Sequence, residues 1–163
     1  MNTKTKTSET SPIYINEIVP AGSAGGGWVA ITFAPGKKTM GGFNYWDRDL
    51  NMDLERLRCL GADTLVAFLE DDELKRLKIP DLVRMAQNKG FQVRRFAFHD
   101  DGVPKDMEHT LRFIREIAGR RREGESVVMH CNGGVGRSGT MAACLRRAGR
   151  GGGRKGMGGL RSC

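Results

Sequence analysis

The chain has no long apolar run. No uninterrupted hydrophobic stretch approaches the ~18 residues of a bilayer-crossing helix, so no membrane span is expected. Residues 1–11 (MNTKTKTSETS) lack the apolar core of a secretory leader and read as a short disordered arm. Cysteine is scarce: Cys59, Cys131, Cys144 and Cys163 show no paired metal-ligand spacing, and His99 and His109 add none. No metal and no other cofactor is therefore expected. Residues 145–163 contain neither an acid nor an aromatic side chain. That segment holds Arg146, Arg147, Arg150, Arg154, Lys155 and Arg161, and so most of the net charge of +8. The other 144 residues carry 21 basic against 19 acidic groups, a net of +2. Without aromatics to stack bases, the tail is a poor nucleic-acid site. Residues 146–163 read instead as a Gly/Arg-rich, disordered and unpartnered end, because they cannot bury enough apolar surface to order themselves. No internal repeat is visible.

Against these absences stands one dense motif, His130-Cys131-Asn132-Gly133-Gly134-Val135-Gly136-Arg137-Ser138. The apolar run Ser126–Met129 before it reads as a short buried strand, and Gly139–Ala143 after it reads as the start of a helix. A strand, a glycine-rich loop and a helix N-terminus make an anion cradle, because successive backbone N–H groups turn inward on one oxyanion. Glycine permits the dihedrals and the close approach this needs. Arg137 adds a planar fork for phosphate oxygens. Cys131 lies on the cradle floor, where the same dipoles favour a thiolate. A cysteine nucleophile beneath a bound phosphate implies phosphoryl transfer through a cysteinyl-phosphate. The loop is not a Walker motif, since no Gly-Lys-Ser/Thr closes it. A reactive thiol also points to a reducing cytoplasm.

Periodicity supplies the frame. Strands are expected at 12–18, 28–33, 64–69, 91–98 and 126–129. Helices are expected near 49–60, over 71–77, from Pro80 to Gly90, and from Pro104 with an apolar face of Met107, Leu111, Ile114 and Ile117. The alternation gives an α/β fold: a central, mostly parallel sheet flanked by helices, with the loop at the carboxyl end of a strand.

The nine-residue motif resembles the signature of the cysteine-dependent protein tyrosine and dual-specificity phosphatases. Further pieces (Ile31–Lys38, Glu73-Leu74 with Ile79–Leu82, Asp100–Pro104 and His130–Ala143) resemble the kinase-associated phosphatases, also called cyclin-dependent kinase inhibitor phosphatases. The resemblance covers most of residues 12–145 as one phosphatase-like domain. It implies hydrolysis of phosphotyrosine, and of phosphoserine or phosphothreonine, on a phosphorylated protein substrate. Residues Asn132 to Gly136, with Arg137, would bind the phosphate. His130 matches the family histidine that orients the loop and assists the thiol, and Ser138 the hydroxyl that assists thiolate departure. The segment His99–Pro104 resembles the family's acid loop, which assigns the general acid to Asp100, with Asp101 as the alternative one register away. The bland role for that pair is capping the helix after Pro104. The family's later helices are expected to be missing, because the chain turns Gly/Arg-rich by about residue 146.

Other residues carry plainer expectations. Cys59 and Cys144 read as core, Trp28 and Trp46 as packing, and Lys37 and Lys38 as solvated, with attraction of a phosphorylated substrate as their alternative role. Rhodanese-type sulfurtransferases use a shorter loop and no upstream acid. Phosphoinositide phosphatases often place lysines inside the loop, whereas Asn132 to Gly136 are uncharged. An inactive truncated product or a phosphoresidue-binding module is the rival of another class.

Overall fold

The computed structural model describes residues 3–21 and 25–148. Its main sheet has five strands: β2 (Asn16–Val19), β3 (Val29–Thr32), β6 (Thr64–Ala67), β7 (Gln92–Arg95) and β8 (Val127–His130), in the order β2-β3-β8-β6-β7. Only the β2–β3 pair is antiparallel. Strands β3, β6 and β8 are buried along their whole length, as central parallel strands with both faces covered must be.

Successive side chains of β6 point to opposite faces, and two cores follow from that alternation. Leu65 and Ala67 face α1 (Leu50–Cys59) and α3 (Leu82–Asn88), packing with Leu54, Leu57, Leu82 and Ala86. Val66 and the following Phe68 face α4 (Met107–Arg122) and α5 (Gly136–Ala148), packing with Phe113, Ile117, Met141 and Leu145. A six-residue helix, α2 (Asp71–Arg76), follows β6 directly and brings the edge of the first core to the carboxyl end of the strands.

A second sheet was not legible in the sequence. Here β4 (Lys38–Gly41) and β5 (Asn44–Asp47) form a hairpin through Gly42, at φ +60°, and β1 (Lys4–Lys6) adds parallel to β5. The expectation of a disordered arm over residues 1–11 is therefore corrected for residues 3–11. Buried Arg48 explains why. Its Nη1 donates to Ser11 O (2.8 Å) and Thr7 O (3.3 Å), while its other nitrogens donate to both oxygens of Asp53 at 2.8 Å. Asp53 in turn accepts from Gly36 N–H at 2.8 Å. Backbone carbonyls of the arm thus complete the shell of a buried ion pair, which needs such partners to be tolerated.

Three smaller expectations also change. The helix after Pro104 starts at Met107, with the Asp106 carboxylate capping His109 N–H at 2.9 Å. Its buried face is Thr110, Phe113, Ile114 and Ile117, so Met107 and Leu111 are left exposed. The i, i+3, i+4, i+7 stripe carrying Phe113 wins, because the ring meets Phe68 and Phe96 across the sheet. Cys59 and Cys144 are exposed rather than core. The reading of a disordered end over 146–163 is met by α5 as far as Ala148; residues 149–163 lie outside the described residues. Among the described residues no helix is long and apolar enough to cross a membrane.

Candidate active site

The carboxyl ends of β3, β8, β6 and β7 converge on the loop 131–135, which leads into the first turn of α5. Cys131 follows β8 directly and is 3% exposed. Its Sγ accepts the Gly134 N–H at 3.2 Å, so one inward amide already points at the thiol. Gly134 cannot be replaced in this backbone. Its φ is +78°, and a Cβ there would lie 2.6 Å from the carbonyl carbon and oxygen of Thr32. Gly133 and Gly136 meet nothing within 4 Å. Val135 is 77% exposed at the rim. The Asn132 carbonyl accepts from Ala34 N–H (3.1 Å) and from Lys37 Nζ (3.0 Å), which ties the loop to the segment after β3.

Arg137 is hydrogen-bonded at one end of its guanidinium and faces Asp100 without a hydrogen bond along its Nε edge. Its Nη1 and Nη2 donate to the two oxygens of Glu73, each at 2.7 Å. Nη1 also donates to Phe68 O (3.1 Å) and Phe98 O (3.0 Å). A guanidinium has five N–H groups, so the Nε–H and one Nη2–H remain, and they lie side by side on one edge. The Asp100 Oδ1 sits 3.2 Å from Nε but off the N–H direction, and Nε makes no hydrogen bond. Burial pushes the Arg137 pKa down, yet Glu73, Asp100 and Cys131 outweigh it and hold the pKa above the ordinary value. Burial likewise pushes the Glu73 carboxyl up; the Arg137 bonds, the Glu70 N–H and the charges of Arg137 and Arg76 prevail and hold it below the ordinary range.

His130 and Ser138 are both wholly buried. Desolvation first, and then the Arg137 charge, lowers the His130 pKa to about 4 against a weak contact with Cys131 O at 3.4 Å. His130 is therefore neutral at physiological pH and supplies no positive charge to the thiol. Its Nε2 and the Ser138 Oγ have no hydrogen-bond partner among the described residues. Both hydroxyl and imidazole are thus held ready beside the loop. The neighbouring Asp101 adopts φ +58° in a turn where Gly102 N–H returns to His99 O at 3.1 Å. Only Asp100 of the two has a recorded contact with Arg137. Neither caps α4, since Asp106 does.

A sequence model of the family described as Cyclin-dependent kinase inhibitor 3 (CDKN3) matches residues 4–148. The chain belongs to that family. It is 26% identical to human cyclin-dependent kinase inhibitor 3 over 137 residues, covering 84% of this chain and 62% of the human protein. The rat protein is 30% identical over 98 residues, covering 60% of this chain and 46% of the rat one. The chain thus spans about half the length of the curated relatives it matches. Among solved structures, kinase associated phosphatase with serine replacing its catalytic cysteine superposes at a TM-score of 0.73, at 24% identity over 85% of this chain and 75% of that one, which shows the fold. Tk-PTP in its active form superposes at 0.60, at 28% identity over 82% and 77% of the two chains.

This CDKN3-family chain gathers Cys131, Arg137, His130, Ser138 and Asp100 at one end of the sheet. Two members of the site escaped the sequence reading. Glu73 was noticed only as part of a resembling segment, yet it holds the end of the Arg137 fork that a local reading assigns to phosphate. Lys37, read as solvated, is 5% exposed. Its Nζ lies 4.4 Å from the Trp46 ring centre and 5.1 Å from that of Phe33. The signal for it was the proximity of Phe33 in sequence, but Trp46 reaches it only once the hairpin has formed.

Proposed function

We propose that this protein is a cysteine-dependent protein phosphatase that hydrolyses phosphotyrosine, and phosphoserine or phosphothreonine, through a cysteinyl-phosphate. The observation that carries this reading is the Nε–Nη2 edge of Arg137, whose Nε makes no hydrogen bond among the described residues and lies beside Asp100, in a site where Gly134 N–H already points at Cys131 Sγ. Two phosphate oxygens fit that edge, and the loop amides fit the third. The Cys131 thiolate attacks phosphorus, the ester P–O bond breaks, and Asp100 gives its proton to the leaving oxygen. Water then attacks the cysteinyl-phosphate, Asp100 takes a proton from it, and the S–P bond breaks. Ser138 donates its unpaired hydroxyl to the departing thiolate, and neutral His130 holds the loop from behind. Family membership supports a phosphorylated protein as substrate, and the relatives' name makes a cyclin-dependent kinase the first candidate. The chemistry needs a reduced Cys131, which suits the cytoplasm.

The test is turnover of p-nitrophenyl phosphate by the purified chain, beside Cys131→Ser. The variant should lose turnover and keep orthovanadate binding, since the cradle survives. A wild-type chain that binds the oxyanion without turnover would make this a phosphoresidue-binding module instead.

A further inference from the structure

Lys37 is a buried amine that nothing in the reaction above uses. It leaves β3 through the Gly36 turn, and its ammonium ends against the loop. Every group around it is identifiable. Asn132 O accepts its proton; the Phe33 and Trp46 rings flank it; Arg48, paired to Asp53, packs with its Cζ 4.8 Å from the Phe33 centroid. Lys6 of β1 lies over the Trp46 ring at 5.0 Å. Among the described residues no carboxylate pairs with the Lys37 ammonium, which donates to the Asn132 carbonyl beside Cys131. Aromatic faces hold a cation in a nearly dry place, where its field reaches further than in water.

In a trans peptide the C=O and the next N–H point in opposite directions. Drawing the Asn132 carbonyl outward, onto Lys37 and Ala34, turns the Gly133 N–H inward. We propose that Lys37 is a positioning residue for the nucleophile's loop: its hydrogen bond to the Asn132 carbonyl fixes the Asn132–Gly133 peptide in the anion-binding orientation. This rests on the reading of Cys131 as the nucleophile and deepens it. Burial and Arg48 lower the Lys37 pKa to about 8, while Cys131 raises it, so the ammonium form prevails at neutral pH.

The experiment measures orthovanadate binding to the purified chain by titration calorimetry, beside its thermal melt. Lys37→Met should weaken binding about tenfold, and Lys37→Arg, which can still donate to the Asn132 carbonyl, should restore most of it. A merely structural loss would not be rescued by Lys37→Arg. Equal affinity in wild type and Lys37→Met overturns the proposal, as does a loss that Lys37→Arg shares in full; no binding by wild type overturns it together with the phosphatase reading. Binding without p-nitrophenyl phosphate turnover in wild type would sink the phosphatase reading alone, because oxyanion binding proceeds without catalysis.

Discussion

Glu73 and Arg137, 64 residues apart in sequence, meet through two parallel hydrogen bonds of 2.7 Å, and both are nearly inaccessible to solvent. Glu73 occupies the end of the guanidinium and leaves its Nε edge facing Asp100. On the proposed phosphatase reading, the pair orients the phosphate-binding group before any phosphate arrives.

Glu73→Gln should loosen that orientation and leave the arginine charge uncompensated. Breaking a buried pair costs about 3–5 kcal/mol. The carbonyls of Phe68 and Phe98 still hold Nη1, so the lower end of that range is expected, read by urea denaturation at pH 7. Glu73 has a pKa below the ordinary carboxylate value, so its stabilisation is present above that value and lost as pH falls through the native one. Below about pH 4 the difference between variant and wild type should narrow. A constant difference across that range would show that the charge of Glu73 is irrelevant.

His130 gives stability a second pH dependence. Its pKa is lowered from 6.5 to about 4, so the unfolded chain binds a proton that the native chain refuses. The native advantage is complete above pH 6.5 and is lost as pH falls toward 4, by about 3 kcal/mol at 1.36 kcal/mol per unit. His130→Asn should flatten the stability curve in that window, whatever its absolute stability. An unchanged slope would mean that His130 titrates normally.

Gly134→Ala should be far more damaging than Gly133→Ala. The new methyl would strike the Thr32 carbonyl, and the φ of +78° is unfavourable to any side chain. Strain and overpacking together cost at least ~2 kcal/mol. Thermal melts and vanadate binding should both report this, while Gly133→Ala keeps its melting temperature. Equal tolerance at the two positions would place the close approach elsewhere.

Asp100→Asn should slow hydrolysis of phenyl phosphate roughly 10²-fold or more and p-nitrophenyl phosphate much less, since a good leaving group needs little protonation. Asp101→Asn should leave both rates near wild type. The reverse pattern would transfer the proton donor to Asp101.

Arg48→Met should release the N-terminal segment. The change strands the buried Asp53 carboxylate and removes the donor to Ser11 O and Thr7 O. A loss of about 3–5 kcal/mol is expected, together with rapid tryptic cleavage after Lys6. Persistent protection at Lys6 would mean that strand pairing alone retains the arm.

The loop was legible because its chemistry sits in nine consecutive residues, and the central strands were legible because burial on both faces leaves continuous apolar runs. The small sheet was not. Its strands KTMG and NYWD form a local hairpin but show no apolar alternation, and KTK pairs with NYWD only across 40 residues. The same limit hid Glu73 and Lys37. A glutamate in an acidic helix and a lysine beside a turn look solvated until the partners that bury them arrive from elsewhere in the chain. The face of α4 was misassigned for a related reason: two stripes of the helix are apolar, and only the aromatic cluster at Phe68 and Phe96 chooses between them.

The surroundings of Cys131 are tied to the order in which the molecule is assembled. The loop takes its shape from Ala34 and Lys37 after one strand, Phe68 and Glu73 after another, and Phe98 and Asp100 after a third. These contacts span from nearly 40 to nearly 100 residues, so loop-closure entropy delays them until the parallel strands are side by side. A chain emerging from synthesis thus carries a Cys131 with no amide aimed at it. On the proposed phosphatase reading, the competent site is assembled last, once the sheet is complete, and a partly folded copy has none with which to act on the wrong phosphate.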